Sequence, residues 1–499
     1  MKKTLLTILC FWMAASSFLF AQQTPKPNPN RNLVRVNILQ INDVYEITPI
    51  AGYGGIARFA TLKKQLKRET ANTLSILAGD FFSPSALGTA KVNGERLNGK
   101  QMVAMLNYAG LDYATFGNHE FDLKEDQFRA RMSETRFKWV SSNVYEANGS
   151  AYQGVYPSAA YEASNALGRR FRIGIIAVTL DKNRKPFVKY EDVMQAAKRE
   201  IEKLRPQVQM MIAITHLELA DDIKLAEAFP ELALIMGGHE HENILVRRGA
   251  NLTKISKADA NARSAWIHRI TYNTASKKYS ISSELKYLDN TVEEDPATAA
   301  EANRWVQMAY AGFRAEGFNP DKVVTNTTEA LDGREASIRN FPTVLGSRIA
   351  EAMFRAVPNA QAAIFNGGSV RIDDVLLPGA VTEYDVIRVL PFGGQAVATT
   401  MRGSLLKKVL IQGLANRNKG GYLHWHNITQ QGDTFLVGGE AINDDQTYTI
   451  ATSDFLVSGA EGGLDYLKEG NPDLTIGEKV GDVRRLFINE LQRVYGVGN

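Results

Sequence analysis

Hydrophobic positions in the first half of the chain gather into short runs. Leu33 to Ile41, Thr73 to Ala78, Tyr113 to Phe116, Met211 to Ile214 and Leu232 to Met236 each read as a buried strand. Each run stops at a polar motif: Asn42-Asp43-Val44-Tyr45, Gly79-Asp80, Gly117-Asn118-His119-Glu120-Phe121-Asp122, Thr215-His216 and Gly237-Gly238-His239-Glu240-His241. Two alternating runs follow, Ala265 to Asn273 and Lys278 to Leu288, joined by polar residues, and they predict an antiparallel pair. A helix is then expected to start with Asp295 as N-cap and Pro296 at the first helical position. Trp305, Met308, Ala309 and Phe313 recur at helical spacing, and Gly317 and Pro320 close the element. We expect this helix to link two domains and its apolar stripe to pack rather than to bind a ligand.

Ligand sites in open α/β sheets form beyond the carboxyl ends of the strands. The five strands would therefore bring Asp43, Asp80, Asn118, His216, His239 and His241 to one sheet edge. Hard oxygens and imidazoles in that combination suit a pair of divalent metals. Four of the chain's seven histidines, His119, His216, His239 and His241, fall in these motifs. Asp122 stands three residues after His119, where it could accept the second ring proton or cap a helix.

The second half has no further cluster of metal-ligand residues. It carries Asn366-Gly367-Gly368-Ser369-Val370-Arg371 after the run Ala362 to Phe365, and Leu390-Pro391-Phe392-Gly393-Gly394 after Val386 to Val389. A longer stretch, Thr452 to Gly463, follows the alternating run Tyr448 to Ala451 and includes Phe455 and Glu461. Paired glycines after a strand let the backbone approach a ligand closely.

A length of 499 residues accommodates two domains, with 44% apolar and 22% charged residues as in ordinary globular proteins. The net charge of +4 gives no basic field for a nucleic-acid polymer or an anionic membrane. Lys2-Lys3, the apolar stretch Leu5 to Phe20 and Ala21-Gln22 form the pattern of a secretory signal peptide, residues 1–21, with an uncleaved membrane anchor as the alternative. The sole cysteine, Cys10, lies within it, so the mature chain is expected to lack disulfides and to make no stable membrane insertion. Residues 22–32, with Pro25, Pro27 and Pro29, read as an extended leader. The expected division is then 33–290 for a first domain, 291–321 for the linking helix and 322–499 for a second domain.

In order and spacing, the five motifs resemble those of the calcineurin-like metallophosphoesterases, and Gly-Asn-His-Glu-Phe-Asp looks like the bacterial periplasmic 5'-nucleotidase branch. The resemblance implies an α/β fold: an N-terminal α/β/β/α metallophosphoesterase sandwich and a smaller C-terminal α/β substrate-binding domain. It implies two divalent ions, of Zn, Mn, Co, Mg, Ca or Fe. Asp80 would bridge them, Asp43 and His241 would hold the first, and Asn118, His216 and His239 the second. His119 would be catalytic, stabilising phosphoryl charge or protonating the leaving alkoxide, with Asp122 orienting it. One position departs from the family, which has His where this chain has Tyr45. The phenol could bind metal as a phenolate, point away and leave water in that place, or accompany an empty first site.

In the second half the resemblance assigns Phe392 and Phe455 to a base sandwich, Arg339 and Arg371 to the phosphate, and Asn366 to the base. Glu461 stands where the family has a ribose-binding Asp. The turn Gly-Ala-Glu-Gly-Gly and the segment Thr343-Val344-Leu345-Gly346-Ser347 also depart from the family pattern. The expected activity is release of phosphate from nucleoside 5'-monophosphates or related nucleotides, outside the cytoplasm. Two alternatives use the same site. One is a phosphodiesterase or diphosphohydrolase for cyclic nucleotides, dinucleotides or sugar nucleotides. The other is a weakly active nucleotide-binding protein with an impaired first metal site.

Overall fold

The computed structural model describes residues 30–498; the expected signal segment, Cys10 and most of the leader lie outside the described residues. The strand Leu33–Ile41 explains how the first half is layered. Val34, Val36 and Ile38 point to one side of it, Leu39 and Ile41 to the other, and all five are fully buried. A strand covered on both faces needs apolar residues at both parities, which is why these strands read as runs.

That strand lies inside a seven-stranded sheet. Its neighbours are Ser264–Asn273, antiparallel, and Thr73–Ala78, parallel, followed by Tyr113–Thr115, Lys138–Val140 and Val155–Tyr156, with Lys278–Tyr287 at the opposite edge. A second, six-stranded sheet holds Leu232–Gly237 and Met210–His216 side by side in parallel. The two sheets pack face to face through Val36, Ile38 and Ile76 from one and Ile173, Ile212 and Met236 from the other. Helices cover both outer faces: Ile56–Glu69, Lys100–Ala109 and Pro296–Ala315 on one, Val193–Leu204 and Leu219–Ala228 on the other. The result is the α/β/β/α sandwich.

A buried polar network bolts the two sheets together. Gln40 shares the inward parity of Val36 and Ile38 and is fully buried. Its Nε2 donates to the carbonyls of Gly237 (3.1 Å) and Ser256 (2.9 Å). Its Oε1 accepts from Ser256 Oγ (2.7 Å) and from His268 Nε2 (3.0 Å), while His268 Nδ1 meets Ser283 Oγ at 2.9 Å. Gly237 ends the strand that leads into the His239–His241 motif, so the bolt also fixes the position of that motif.

The helix Pro296–Ala315 starts where the Asp295-Pro296 pair predicts, and Asp295 Oδ1 accepts from the Thr298 amide at 3.1 Å. Ala302, Trp305, Ala309 and Phe313 bury in the core of the first half, which Phe318 and Ile387 join. In the second half a five-stranded sheet runs Leu423–His426, Ala362–Asn366, Thr447–Ser453, Gln395–Arg402, Leu474–Asp482. Helices Val344–Ala356 and Val483–Tyr495 cover one face and Gly403–Ala415 the other. One expectation fails here: Val386 to Val389 is the end of a helix, Glu383–Val389, not a strand. Thr382 and Asp385 form a reciprocal capping box, with Oγ1 accepting from the Asp385 amide (3.1 Å) and Asp385 Oδ2 from the Thr382 amide (2.9 Å). That local signal outweighs a short apolar run.

The halves meet through apolar packing around Ile387 and through polar contacts. Tyr384 Oη donates to Glu46 Oε2 at 3.1 Å, and Arg263 pairs with Asp374 at 2.5 Å. Among the described residues no helix is long and apolar enough to cross a membrane.

The inter-sheet bolt gives stability a pH dependence. Burial, followed by the charge of Lys254, holds the His268 imidazole down at about 3. In the unfolded chain it titrates near its ordinary value of about 6.5. Its contribution is therefore full above pH ~6.5 and is lost as pH falls toward ~3, by up to about 1.4 kcal/mol per pH unit. The stability difference between the wild type and His268→Gln, from denaturant unfolding of chelated protein, should shrink across that window. A difference that stays constant with pH would show that His268 is not held neutral.

Candidate metal centre and substrate cleft

Three strand ends turn sharply at the edge of the sandwich. Asp43 (φ +52°), Asp80 (φ +58°) and His239 (φ +84°) all adopt left-handed backbone, which aims their side chains back across the strand ends. The turns are tied together: the Asp43 amide donates to Gly79 O (3.0 Å), the Val44 amide to Asp80 O (2.9 Å) and the Gly238 amide to Thr215 O (2.9 Å). The resulting cluster of Asp43, Asp80 and His216 is fully buried, with ligand atoms within 4.8 Å of one another.

Asp43 Oδ2 accepts from Asn42 Nδ2 (2.8 Å) and from the His239 amide (3.0 Å), and Asp80 Oδ1 accepts from the His119 amide (2.8 Å). Burial alone would raise both carboxyls. The facing imidazoles, His216 and His241 for Asp43 and His216 and His119 for Asp80, hold them below the usual carboxylate range. His216 Nδ1 donates to Ala78 O (2.8 Å), which turns Nε2 toward Asp80 Oδ2 at 3.1 Å. Burial works against charging His216, yet Asp80 and Asp43 push it up to about 9.

Two features fit this cluster to bound cations. Asn118 Oδ1 is buried without a hydrogen-bond partner, and the buried His216 Nε2 faces the Asp80 carboxylate alone, although both are good metal ligands. Glycine at 238 lets this turn pack closely on its neighbours: a Cβ there would overlap Ala78 O and would lie 2.9 Å from His216 Nδ1 and 3.0 Å from Asp43 Oδ2. His239 engages Glu218 Oε1 and Lys182 through Nε2, each at 3.2 Å, which leaves Nδ1 as the nitrogen it could offer a metal. His241 Nδ1 hydrogen-bonds to Asp373 Oδ2, so Nε2 faces the cluster, 3.6 Å from Asp43 Oδ1.

Tyr45 does not point away from the cluster. Its hydroxyl lies 3.3 Å from His241 Nε2 and 3.4 Å from both Asp43 Oδ1 and Asp80 Oδ2. The amides of Tyr45 and Glu46 both donate to Asn261 Oδ1 (2.9 and 3.2 Å), and this fixes the ring's direction. Burial, then the charges of Asp80 and Asp43, raise the phenol well above its ordinary value, so it stands as a protonated donor among acceptors.

His119 Nδ1 meets Asp122 Oδ2 at 2.7 Å, and Asp122 also accepts from Ser83 Oγ (3.1 Å) and Asn183 Nδ2 (2.6 Å). Asp122 caps no helix: the next one begins at Glu125 behind Lys124.

The second half faces this edge across a cleft of about 870 Å³. Arg339, Asn366, Arg371, Phe392, Phe455 and Glu461 line one side, and Asp80, Asn118, His119, His239 and His241 line the other. Phe392 and Phe455 are 46% and 43% exposed, so neither is a core residue. Arg371 lies over the Phe392 ring at 5.7 Å, and Asn366 Nδ2 donates to Glu461 Oε2 at 2.8 Å.

Sequence reasoning missed four carboxylates. Glu120 is fully buried and pins two strand ends together: Oε1 accepts from the Phe81 (2.7 Å) and Phe82 (3.2 Å) amides, Oε2 from those of Asp80 (3.0 Å) and Gly117 (2.5 Å). Burial and the Asp80 charge push its carboxyl up to about 7. Its place inside the Asn-His-Glu motif was the available signal. Glu218, Glu335 and Asp373 carried none, because their proximity to the site arises only in the fold. Glu335 pairs with Arg339 and lies 3.9 Å from Arg371.

The profile of the calcineurin-like phosphoesterases matches residues 36–243, and that of the 5'-nucleotidase C-terminal domain matches residues 323–469. The chain is 24% identical to the trifunctional nucleotide phosphoesterase protein YfkN of Bacillus subtilis over 88% of its own length, and spans 33% of that longer protein. It is 23% identical to protein UshA of Yersinia enterocolitica, over 82% of each chain. The fold is that of the 5'-nucleotidase precursor from Thermus thermophilus: TM-score 0.74 at 20% identity, covering 92% of this chain and 97% of that one. The chain thus joins a calcineurin-like phosphoesterase domain to a 5'-nucleotidase C-terminal domain, within a family of metal-using phosphoric ester hydrolases.

Glu120→Gln leaves one carbonyl to serve four amide donors. Two buried N–H groups would lose their acceptor, at about 1–3 kcal/mol each. Unfolding free energy should fall by roughly 2–5 kcal/mol in denaturant titrations. A loss below about 0.5 kcal/mol, the scale of a surface change, would mean that Glu120 is not the pin.

Proposed function

We propose that this two-domain metallophosphoesterase releases phosphate from nucleoside 5'-monophosphates or related nucleotides outside the cytoplasm. The observation that carries the reading is the cleft itself, with metal-type donors on one wall and two guanidinium groups with two exposed phenylalanines on the other. The export part rests on the Lys2-Lys3 and Leu5 to Phe20 pattern.

In this reading Asp43 and His241 would hold one divalent ion, Asn118, His216 and His239 would hold a second, and Asp80 would serve both. When bound, such a pair supplies Lewis-acid polarisation and a water acidic enough to act as nucleophile near neutral pH. The chain's own residues do the rest. Arg339 and Arg371 hold phosphate oxygens in planar forks. Phe392 and Phe455 take the base between their faces, and Glu461, steadied by Asn366, accepts from the ribose hydroxyls. His119 protonates the departing alkoxide, and Asp122, through Nδ1, keeps the other nitrogen toward the cleft. The expected boundaries, 33–290, 291–321 and 322–499, then separate chemistry, linker and specificity.

One observation favours a second reading on the same site. The Glu335 carboxylate beside Arg339 and Arg371 reduces the positive charge offered to a dianionic phosphate. A singly charged diester would suffer less from it. A phosphate-release screen over nucleoside mono-, di- and cyclic phosphates and sugar nucleotides, with added Mn²⁺, Zn²⁺, Co²⁺, Mg²⁺ or Ca²⁺, decides between them. Absence of turnover with every substrate and metal would leave only a binding protein.

Asp80→Ala should remove both metals and all turnover, because one carboxylate serves both ions. Two metals per chain retained by elemental analysis would refute the bridging role. His119→Asn should keep both metals and lower kcat by roughly 10²–10⁴-fold, the usual range for a positioned proton donor. Loss of a metal would make His119 a ligand instead.

Phe392→Ala and Phe455→Ala should each raise KM for nucleotides by roughly 5- to 150-fold, from about 1–3 kcal/mol of lost stacking. Hydrolysis of a small aryl phosphate should change far less, since it reaches the metals without the slot. Equal losses on both substrates would point to a folding defect.

A further inference from the structure

The imidazoles nearest the Asp43–Asp80 pair are oriented in different ways. His216 donates Nδ1–H to Ala78 O, a backbone carbonyl of its own half, at 2.8 Å. His241 has no such acceptor in the first half among the described residues. Its Nδ1 meets Asp373 Oδ2, a carboxylate of the second half, and only this bond turns Nε2 toward Asp43 and the Tyr45 hydroxyl.

Asp373 is built into that position. It has left-handed backbone (φ +40°) two residues after Arg371. Its other oxygen, Oδ1, accepts from the Glu335 amide at 2.7 Å, at the start of the short helix that ends at Arg339. The flanking Asp374 pairs with Arg263 of the first half at 2.5 Å and lies 3.8 Å from Arg388. One loop therefore carries a cleft arginine, a carboxylate that fixes a metal-type histidine, and an ion pair that docks the two halves.

The geometry points to Asp373 as the positioning residue of His241, so that the first metal site is completed by the second half only when the halves are docked. This rests on His241 being a metal ligand. A histidine ligand whose second nitrogen is held by a carboxylate keeps one tautomer and one ring orientation and is a better donor, and loss of such a partner typically weakens metal binding 10–100-fold. In the undocked state His241 lacks the carboxylate, and the first site should be the weaker of the two. By linkage, a metal that binds the docked state more tightly also favours docking.

The test is a Co²⁺ titration of the metal-stripped full chain without substrate, followed by visible absorption and by competition with a chelating dye. Asp373→Ala and Asp373→Asn should each weaken one site about 10–100-fold and leave the other within about twofold, with unchanged thermal unfolding of the stripped proteins. Asp373→Glu, which keeps the carboxylate, should recover part of the loss. His241→Ala should lose the same site, and adding Asp373→Ala to it should weaken Co²⁺ binding no further. Unchanged affinities in both Asp373 variants, or a further tenfold loss in the double variant, would overturn the proposal while leaving the metal centre standing if His241→Ala still loses a site. If His241→Ala binds two Co²⁺ ions as tightly as the wild type, the ligand assignment fails and the proposal fails with it.

Discussion

Two carboxylates, Asp43 and Asp80, stand buried beside each other at 0% and 1% exposure, and most of the site follows from that constraint. Like charges removed from water are unstable unless positive charge or donors compensate them. Here compensation comes from amides (His119 on Asp80, His239 on Asp43), from the Asn42 side chain and from the facing imidazoles. A divalent cation does the same more strongly, and Asn118 Oδ1, buried without a hydrogen-bond partner, is a further oxygen that could serve one. The left-handed backbone at Asp43, Asp80 and His239 is tolerated because the turns around it are locked by hydrogen bonds.

Such a site works only if strands from two different sheets end at the same height. Two buried polar devices set that height. Glu120 gathers four amides from two strand ends of the seven-stranded sheet. The Gln40–Ser256–His268 network ties that sheet to the carbonyl of Gly237 in the other. Apolar packing between sheets tolerates small slides, whereas a saturated network of directional bonds in a dry interior does not. The polar bolt thus supplies positional accuracy that Val36, Ile38 and Met236 alone would not.

Chemistry and specificity are divided between the halves. The first half holds donors for cations; the second offers guanidinium forks and two aromatic faces left half exposed at a cost in apolar hydration. An exposed pair of phenylalanines beside arginines is poor core design and good recognition design. Tyr45 adds a further constraint. Its hydroxyl fills the space among Asp43, Asp80 and His241 as a neutral donor.

The sequence alone was enough to identify five strands of the first half, the antiparallel pair near residue 270 and the start of the helix at Pro296, because strand burial and helix capping are local and leave periodic or dipeptide marks, while the α/β/β/α layering was legible only through the family resemblance. It also pointed to the residues at the sandwich edge, because those sit in short motifs after strands, whereas the residues of the facing wall were named only by the family resemblance. It misread Val386 to Val389, where a capping box at Thr382 and Asp385 outweighed a four-residue apolar run. It left the direction of Tyr45 open, because that direction is set by Asn261, more than two hundred residues away. It gave no hint of Asp373 at His241 or of Glu335 between two arginines. Those contacts join loops of different elements, and in the Asp373 case different halves, and only the docking of one half on the other brings them within hydrogen-bonding distance.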